Sequence, residues 1–135
     1  MRTNIIISNI VKQFYERITF PDYENADDFG TLIRKAEENS LALLLDEELP
    51  LNFRIVDVGC GTGQLVNYLA RNGREVWGVD FSSASLKKAE LFQKKHLIKS
   101  AHFVCQDIFS LHLPNACFNV VYCNGVLHHM EDPRV

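Results

Sequence analysis

Apolar residues recur at helical spacing in the first third of the chain. Within residues 27 to 48 the positions that carry this period are Ile33, Ala36, Leu43 and Leu44. Pro50 ends the segment, so the pattern predicts an amphipathic helix over residues 27 to 48. A shorter helix is predicted around residues 5 to 18, and the intervening TFPDYEN predicts a loop because it combines proline with turn formers.

From Asn52 the pattern changes to short β-branched runs that alternate with helical stretches. The runs that predict strands are FRIVDV, EVWGVD, AHFVCQD and FNVVYCN. Helices are predicted from Gln64 to Asn72, with Gly73 at the end, and from Ser82 to Leu97. Apolar strands joined by helices indicate an α/β fold in which a parallel sheet is covered on both faces.

Composition limits the chain to one core and favours a small molecule or a protein as its partner. The chain has 135 residues, of which 47% are hydrophobic and 23% are charged, as in an ordinary soluble domain. Its net charge of -3 argues against a nucleic-acid partner. We expect a cytoplasmic protein with no membrane span, because no apolar run approaches ~18 residues and the first residues are too polar for a secretory signal.

The four cysteines form no CxxC pair; they are Cys60, Cys105, Cys117 and Cys123. Three of them fall in or beside predicted buried strands. They are therefore predicted to be reduced core thiols, not metal ligands or disulfide partners.

A glycine-rich segment follows the first predicted strand. Gly59, Gly61 and Gly63 alternate with other residues there, and such a turn between strand and helix lets a ligand approach the backbone closely. Dinucleotide sites need a further glycine where this chain has Gln64. A P-loop needs a lysine directly after the glycines, whereas no lysine occurs between Lys35 and Lys87. The carboxylate of Asp57 favours a cationic ligand over an anionic one, because like charges repel.

The segments VDVGCGTG, VDFS, QDI and FNVVYCNGVLHHMEDP occur in that order between residues 53 and 133. Together they resemble the class I S-adenosylmethionine-dependent methyltransferases, of the subgroup that acts on small molecules. The resemblance implies the N-terminal half of a doubly wound, Rossmann-like parallel sheet with strand order 3-2-1-4. It also implies transfer of a methyl group from S-adenosyl-L-methionine to the O, N, C or S atom of a small-molecule acceptor that the sequence does not name.

The resemblance assigns roles to the loop and to the end of the second strand. It places the loop from Gly59 to Gly63, which includes Cys60, under the methionine part of the cofactor, with Asp57 near the amino group. Asp80 would accept hydrogen bonds from both ribose hydroxyls, as a carboxylate beside a vicinal diol can. Phe81 would lie against the adenine ring.

Further roles follow from the same resemblance at the third and fourth strands. Asp107 matches the position that accepts a hydrogen bond from the adenine amino group, and the backbone N-H of Ile108 would donate a hydrogen bond to the adenine ring. Asn124 would border the methionine moiety and the incoming nucleophile, and His129 would contact or deprotonate the acceptor. Each has a structural alternative, because strand-end aspartates often cap turns and His129 can simply begin a helix. No metal site is predicted, because the adjacent histidines point in different directions and no further ligands complete a set.

The chain departs from the family in its length. Members have seven strands in the order 3-2-1-4-5-7-6, whereas this chain reaches only the fourth predicted strand. We therefore expect a fragment or a truncated product. Residues 1 to 50 are expected to form a helical lid that includes Phe14, Tyr15 and Tyr23. Residues 51 to 135 are expected to form an incomplete cofactor-binding domain. A non-catalytic cofactor-binding subunit, an NAD-dependent dehydrogenase and a structural interaction protein remain as alternatives, and the oligomeric state stays open.

Overall fold

The computed structural model describes residues 12–14, 16–17, 28–124 and 126. Residues 12–14 and 16–17 are helical, which agrees with the short helix predicted around residues 5 to 18. The later helices are α1 (Phe29–Glu37), α2 (Ser40–Glu48), α3 (Gln64–Ala70) and α4 (Ser83–Lys95). The strands are β1 (Ile55–Val58), β2 (Val76–Asp80), β3 (Ala101–Cys105) and β4 (Val120–Tyr122), and a 3-10 helix, Ile108–Ser110, lies between β3 and β4.

The four strands form one parallel sheet in the order β3-β2-β1-β4, which confirms the predicted fold class and strand order. All residues of β1 are buried, since this strand lies between two neighbours, and three of its four residues are apolar, the exception being Asp57. Asp57 in β1 is paired with Gly78 of β2 and with Tyr122 of β4. This register fixes which side chains reach the carboxyl edge of the sheet.

The single helix predicted over residues 27 to 48 is wrong, because the structure divides it into α1 and α2. Asn39 interrupts the helix with an extended backbone, φ -92° and ψ 104°. Its side-chain oxygen accepts hydrogen bonds from the N-H groups of Leu41 and Ala42, at 3.1 Å and 3.4 Å. An asparagine that caps a new helix in this way competes with continuation of the preceding one.

The helices α1 to α4 pack on one face of the sheet. Leu32 of α1, Ala42 of α2, Val66 of α3 and Leu86 of α4 share one buried cluster with residues of the first three strands. On the other face Val56, Val58 and Val79 are covered by side chains of β2, of β3 and of residues 108–118. In the described part of the chain, the second face is therefore covered by a 3-10 helix and a loop instead of an α-helix.

A buried arginine joins α2 to the sheet. Arg74 is fully buried, and its guanidinium pairs with the Asp46 carboxylate at 3.0 Å and donates to the carbonyl oxygen of Leu49 at 2.7 Å. Asp46 also pairs with Arg71 at 2.7 Å. The charge of Arg74 is thus matched by a carboxylate and by carbonyl oxygens at the end of α2, as a buried cation requires.

The prediction of four core thiols is confirmed in part. All four cysteines are free, but only Cys60 is buried; Cys117 is half-buried, and Cys105 and Cys123 are exposed. Cys105 ends β3 and Cys123 follows β4, and in the described sheet these are the outer strands, whose ends face solvent. The core-thiol interpretation is therefore wrong for Cys105 and Cys123.

None of the helices in the described ranges is long and apolar enough to cross a membrane.

Candidate cofactor site

The carboxyl ends of the strands bring most of the predicted site residues to one edge of the sheet. Asp57 is one residue from the end of β1, and Asp80 is the last residue of β2. Asp107 lies two residues beyond β3, and Asn124 lies two residues beyond β4. Ligands of open parallel sheets bind at this edge, at the point where the strand order reverses. In this sheet the reversal lies between β1 and β4.

The loop between β1 and α3 needs glycine for its backbone conformation. Gly59, Gly61 and Gly63 have φ values of +79°, +57° and +70°, in the left-handed region that other residues rarely adopt. The N-H groups of Gly59 and Cys60 both donate to the carbonyl oxygen of Val79, at 2.7 Å and 3.0 Å. The loop therefore folds back onto the end of β2, which brings it beside Asp80.

Two of these glycines also avoid clashes within the protein. A Cβ atom at Gly63 would lie 2.6 Å from the Phe103 ring and 2.8 Å from the Ala89 side chain. A Cβ atom at Gly59 would overlap the Val126 side chain. Ligand approach alone therefore does not account for the glycines, because close packing of the loop also requires them at these two positions.

Cys60 contributes its side chain to the core. The thiol is buried, and its sulfur would lie only 2.7 Å from a Cβ atom at Gly78, which shows how tightly the side chain covers that glycine. Burial is the main cause that raises the pKa of the Cys60 thiol. The predicted cofactor contact of Cys60 would therefore have to come from its main chain.

Asp80 fastens the glycine loop to the start of α4. One carboxylate oxygen accepts from the N-H of Gly61 at 2.8 Å, and the other accepts from the N-H of Ser82 at 2.9 Å. Burial raises the pKa of Asp80, and these backbone hydrogen bonds act against that rise. The backbone N-H of Phe81 also hydrogen-bonds to this carboxylate and acts against the rise in its pKa. A carboxylate has about four acceptor sites, so three backbone donors leave part of that capacity for a ligand hydroxyl.

Asp57 places a carboxyl group in the buried interior of the sheet. The residue is 5% exposed, and no described residue donates a hydrogen bond to its carboxylate. Burial, followed by the negative charge of Asp80, raises the pKa of Asp57 to about 7. A buried carboxylate normally has hydrogen-bond donors or a cation beside it. A positively charged group beside Asp57 would therefore stabilise its ionised form.

The other predicted site residues differ in their contacts and exposure. Asp107 accepts a hydrogen bond from the N-H of Phe109 at 2.9 Å and caps the 3-10 helix, as the structural alternative predicts. Ile108 packs on the second face of the sheet, Phe81 is half-buried and Asn124 is exposed. His129 lies outside the described residues. Within the described ranges, no group of three or more His, Cys, Asp or Glu side chains could hold a metal ion.

Sequence reasoning missed one residue at this edge. The carboxylate of Glu16 accepts from the backbone N-H groups of Ser83 and Ala84, at 2.8 Å and 3.2 Å. These residues begin α4, three positions after Asp80. Glu16 belongs to no motif, and its partners are more than 60 residues away in the chain, so local pattern carries no signal for this contact.

A parallel sheet of order 3-2-1-4, with a glycine loop after β1 and an acidic residue at the end of β2, defines a Rossmann-like domain for a nucleoside-containing cofactor. The chain belongs to the methyltransferase domain family, whose sequence pattern matches residues 56–135.

Relatives of known sequence and structure agree with this membership. An uncharacterised methyltransferase of Mycobacterium tuberculosis strain H37Rv is 40% identical over 92 residues, which cover 67% of this chain and 45% of that protein. A ubiquinone biosynthesis O-methyltransferase of Alkalilimnicola ehrlichii is 37% identical over 82 residues, covering 59% of this chain and 32% of that protein. The chain thus spans less than half the length of these relatives.

A solved structure shares the fold over most of the chain. The magnesium protoporphyrin IX methyltransferase of Synechocystis PCC 6803, crystallised with S-adenosylhomocysteine, matches with a TM-score of 0.69 and 25% identity. The match covers 91% of this chain and 60% of that one.

Proposed function

We propose that the chain binds S-adenosyl-L-methionine at the carboxyl edge of its sheet, and that the protein transfers the methyl group to a small-molecule acceptor. The observation that carries this proposal is the buried Asp57 carboxylate, which is 5% exposed and has no hydrogen-bond donor among the described residues. S-adenosyl-L-methionine has an ammonium group and a sulfonium group. A nicotinamide dinucleotide instead brings a pyrophosphate, whose negative charge would add to that of Asp57 and Asp80.

Contact with the ammonium group would lower the pKa of Asp57 back from about 7. A cation beside a carboxylate favours the ionised form, so binding would stabilise the charge that burial disfavours. We propose that the loop from Gly59 to Gly63, including the main chain of Cys60, lies under the methionine part, close enough for this contact.

Asp80 is proposed to accept hydrogen bonds from the ribose hydroxyls through the acceptor capacity that its backbone donors leave. Phe81, directly after it, is proposed to lie against the adenine. Asp107 and the backbone N-H of Ile108 are proposed to recognise the adenine edge. The Asp107 oxygen that does not cap the 3-10 helix is the one suited to the adenine amino group.

The cofactor supplies a reactive methyl sulfonium, so the protein mainly has to hold the acceptor in line with it. Asn124, after β4, is proposed to border that position. His129 is proposed to remove a proton from the acceptor where the nucleophile is weak, a role that a histidine near neutral pH can fill. Relatives named for ubiquinone and for magnesium protoporphyrin differ in acceptor, so the acceptor is proposed only as a small molecule.

The four free cysteines support the further proposal of a reducing compartment, the cytoplasm.

Isothermal titration with S-adenosylhomocysteine tests the binding proposal, and transfer of radiolabelled methyl to a panel of acceptors tests the catalytic one. Asp57→Asn should weaken binding by about tenfold or more, the size expected for loss of one charged contact in a dry site. Glu47→Gln removes an exposed charge from α2 and is the matched control. No saturable binding to the wild-type chain would contradict the proposal, and binding without any methyl transfer would favour a non-catalytic subunit.

A further inference from the structure

The start of α4 presents a row of backbone N-H groups that its own side chains only partly satisfy. The hydroxyl of Ser82 accepts from the N-H of Ser85 at 3.2 Å. The N-H groups of Ser83 and Ala84 instead donate to the two carboxylate oxygens of Glu16, at 2.8 Å and 3.2 Å. The first N-H groups of a helix have no partner within it, so a carboxylate from a distant part of the chain completes this end.

This position adjoins the proposed ribose contact. Asp80 accepts from the N-H of Ser82 at 2.9 Å, so three consecutive N-H groups are shared between Asp80 and Glu16. The two carboxylates interact, and the charge of Glu16 adds to the burial that raises the pKa of Asp80. The donors that would otherwise attract an anion to the start of α4 are therefore occupied, and the surroundings are negative.

We propose that Glu16 is a specificity-determining residue that restricts this site to an unphosphorylated ribose. A phosphate on the 2′-hydroxyl would carry about two negative charges and needs several N-H donors. At the start of α4, Glu16 already holds those donors and repels the phosphate. The inference rests on the proposed function, because it assumes that Asp80 receives the ribose.

Removal of the Glu16 carboxylate leaves the Ser83 and Ala84 N-H groups free at the positive end of a 13-residue helix. Such a helix end is favourable for phosphate. The change should therefore improve the binding of a phosphorylated ribose, a gain that mere loss of a structural contact would not produce.

The test compares adenosine and adenosine 2′-monophosphate as competitors of radiolabelled S-adenosylhomocysteine. In the wild type the phosphorylated nucleoside should bind much more weakly than adenosine. In Glu16→Ala the ratio of the two dissociation constants should fall by about tenfold, the effect of exchanging one repulsive charge for helix-end donors. Glu16→Gln, which keeps one acceptor, should show a smaller fall, and Glu47→Gln should leave the ratio unchanged.

Use of a ratio separates specificity from any general loosening of the site. A ratio within about twofold of the wild type in both Glu16 variants would overturn the inference while leaving the proposed function intact, since RT ln 2 is less than one ordinary hydrogen bond. Failure of the wild-type chain to bind S-adenosylhomocysteine would overturn both.

Discussion

Replacement of Asp57 by asparagine should make the cofactor-free protein more stable above neutral pH. The carboxyl loses its proton near pH 3.8 in the unfolded chain but near pH 7 in the folded one. Between these values the folded state binds the extra proton, so the free energy of unfolding falls as the pH rises. A shift from 3.8 to about 7 corresponds to a loss of about 4 kcal/mol that is complete above pH 7.

Asp57→Asn removes the titrating group while keeping the shape of the side chain. The amide itself needs hydrogen bonds, which offsets part of the gain. That cost is the same at every pH, so the difference in unfolding free energy, variant minus wild type, should still increase by about 4 kcal/mol between pH 4 and pH 8. Urea unfolding of both proteins at several pH values, followed by circular dichroism, measures this difference.

The other titrating groups are the same in both proteins, so their contributions largely cancel in the difference in unfolding free energy. Burial raises the pKa of Asp80 and lowers the pKa of His96, so these groups change the stability with pH in opposite directions. Glu47→Gln controls for the loss of one negative charge at an exposed position. Parallel stability curves for the wild type and Asp57→Asn from pH 4 to pH 8 would refute the reasoning.

Three further changes test other parts of the structure. Asp80→Ala should weaken S-adenosylhomocysteine binding by about 30- to 1000-fold in titration calorimetry and should also lower stability, because the side chain holds the loop; unchanged affinity would exclude the ribose role. Gly63→Val should lower the unfolding free energy by about 2 kcal/mol or more through overlap with Phe103, and Phe103→Leu should recover part of the melting temperature; additive losses would contradict the packing role. Asp46→Asn should cost about 3 kcal/mol in urea unfolding because it leaves buried Arg74 poorly matched, whereas affinity should stay within about threefold; an unchanged midpoint would contradict this account.

Most of the sheet could be predicted from local pattern. The strands are short β-branched runs bounded by turn residues, and the alternation with helices restricts the sheet to a parallel arrangement. The observed strands are shorter than the predicted ones, because residues such as Phe53 and Arg54 precede the ladder and Asn124 follows it. Element ends depend on where a neighbouring strand begins to pair, and that is a tertiary property.

The division between α1 and α2 could have been predicted from one residue. Asn39 precedes the sequence SLALLL, and asparagine before an apolar run is a common helix start. The apolar spacing continues across the division almost without change. The hydrophobic period alone therefore gives no sign that a new helix begins at Asn39. Periodicity reports which side chains face the core, whereas a cap depends on a side chain that faces the backbone.

The contacts of Glu16 and Arg74 could not have been predicted by such means. Glu16 accepts hydrogen bonds from α4 residues that lie more than 60 positions away in the chain. Arg74 donates to Asp46, which lies 28 positions away. Each looks like an ordinary surface charge in the sequence. Only the assembled fold shows that Arg74 is fully buried and that Glu16 occupies a helix end.

In the proposed binding mode, the charge of Asp57 would link the stability of the empty protein to its affinity for the cofactor. Ionisation of buried Asp57 is unfavourable while no cation is near it, and an ammonium group beside it removes much of that penalty. If the proposed contact forms, part of the binding free energy comes from relief of a desolvation penalty that the folded chain already carries. Because Asp57 binds a proton up to about pH 7, a cationic ligand has to displace this proton at lower pH. A side chain that contributes to affinity in this way weakens the free protein, and in the proposed binding mode this accounts for a buried carboxylate in β1, an inner strand of the described sheet.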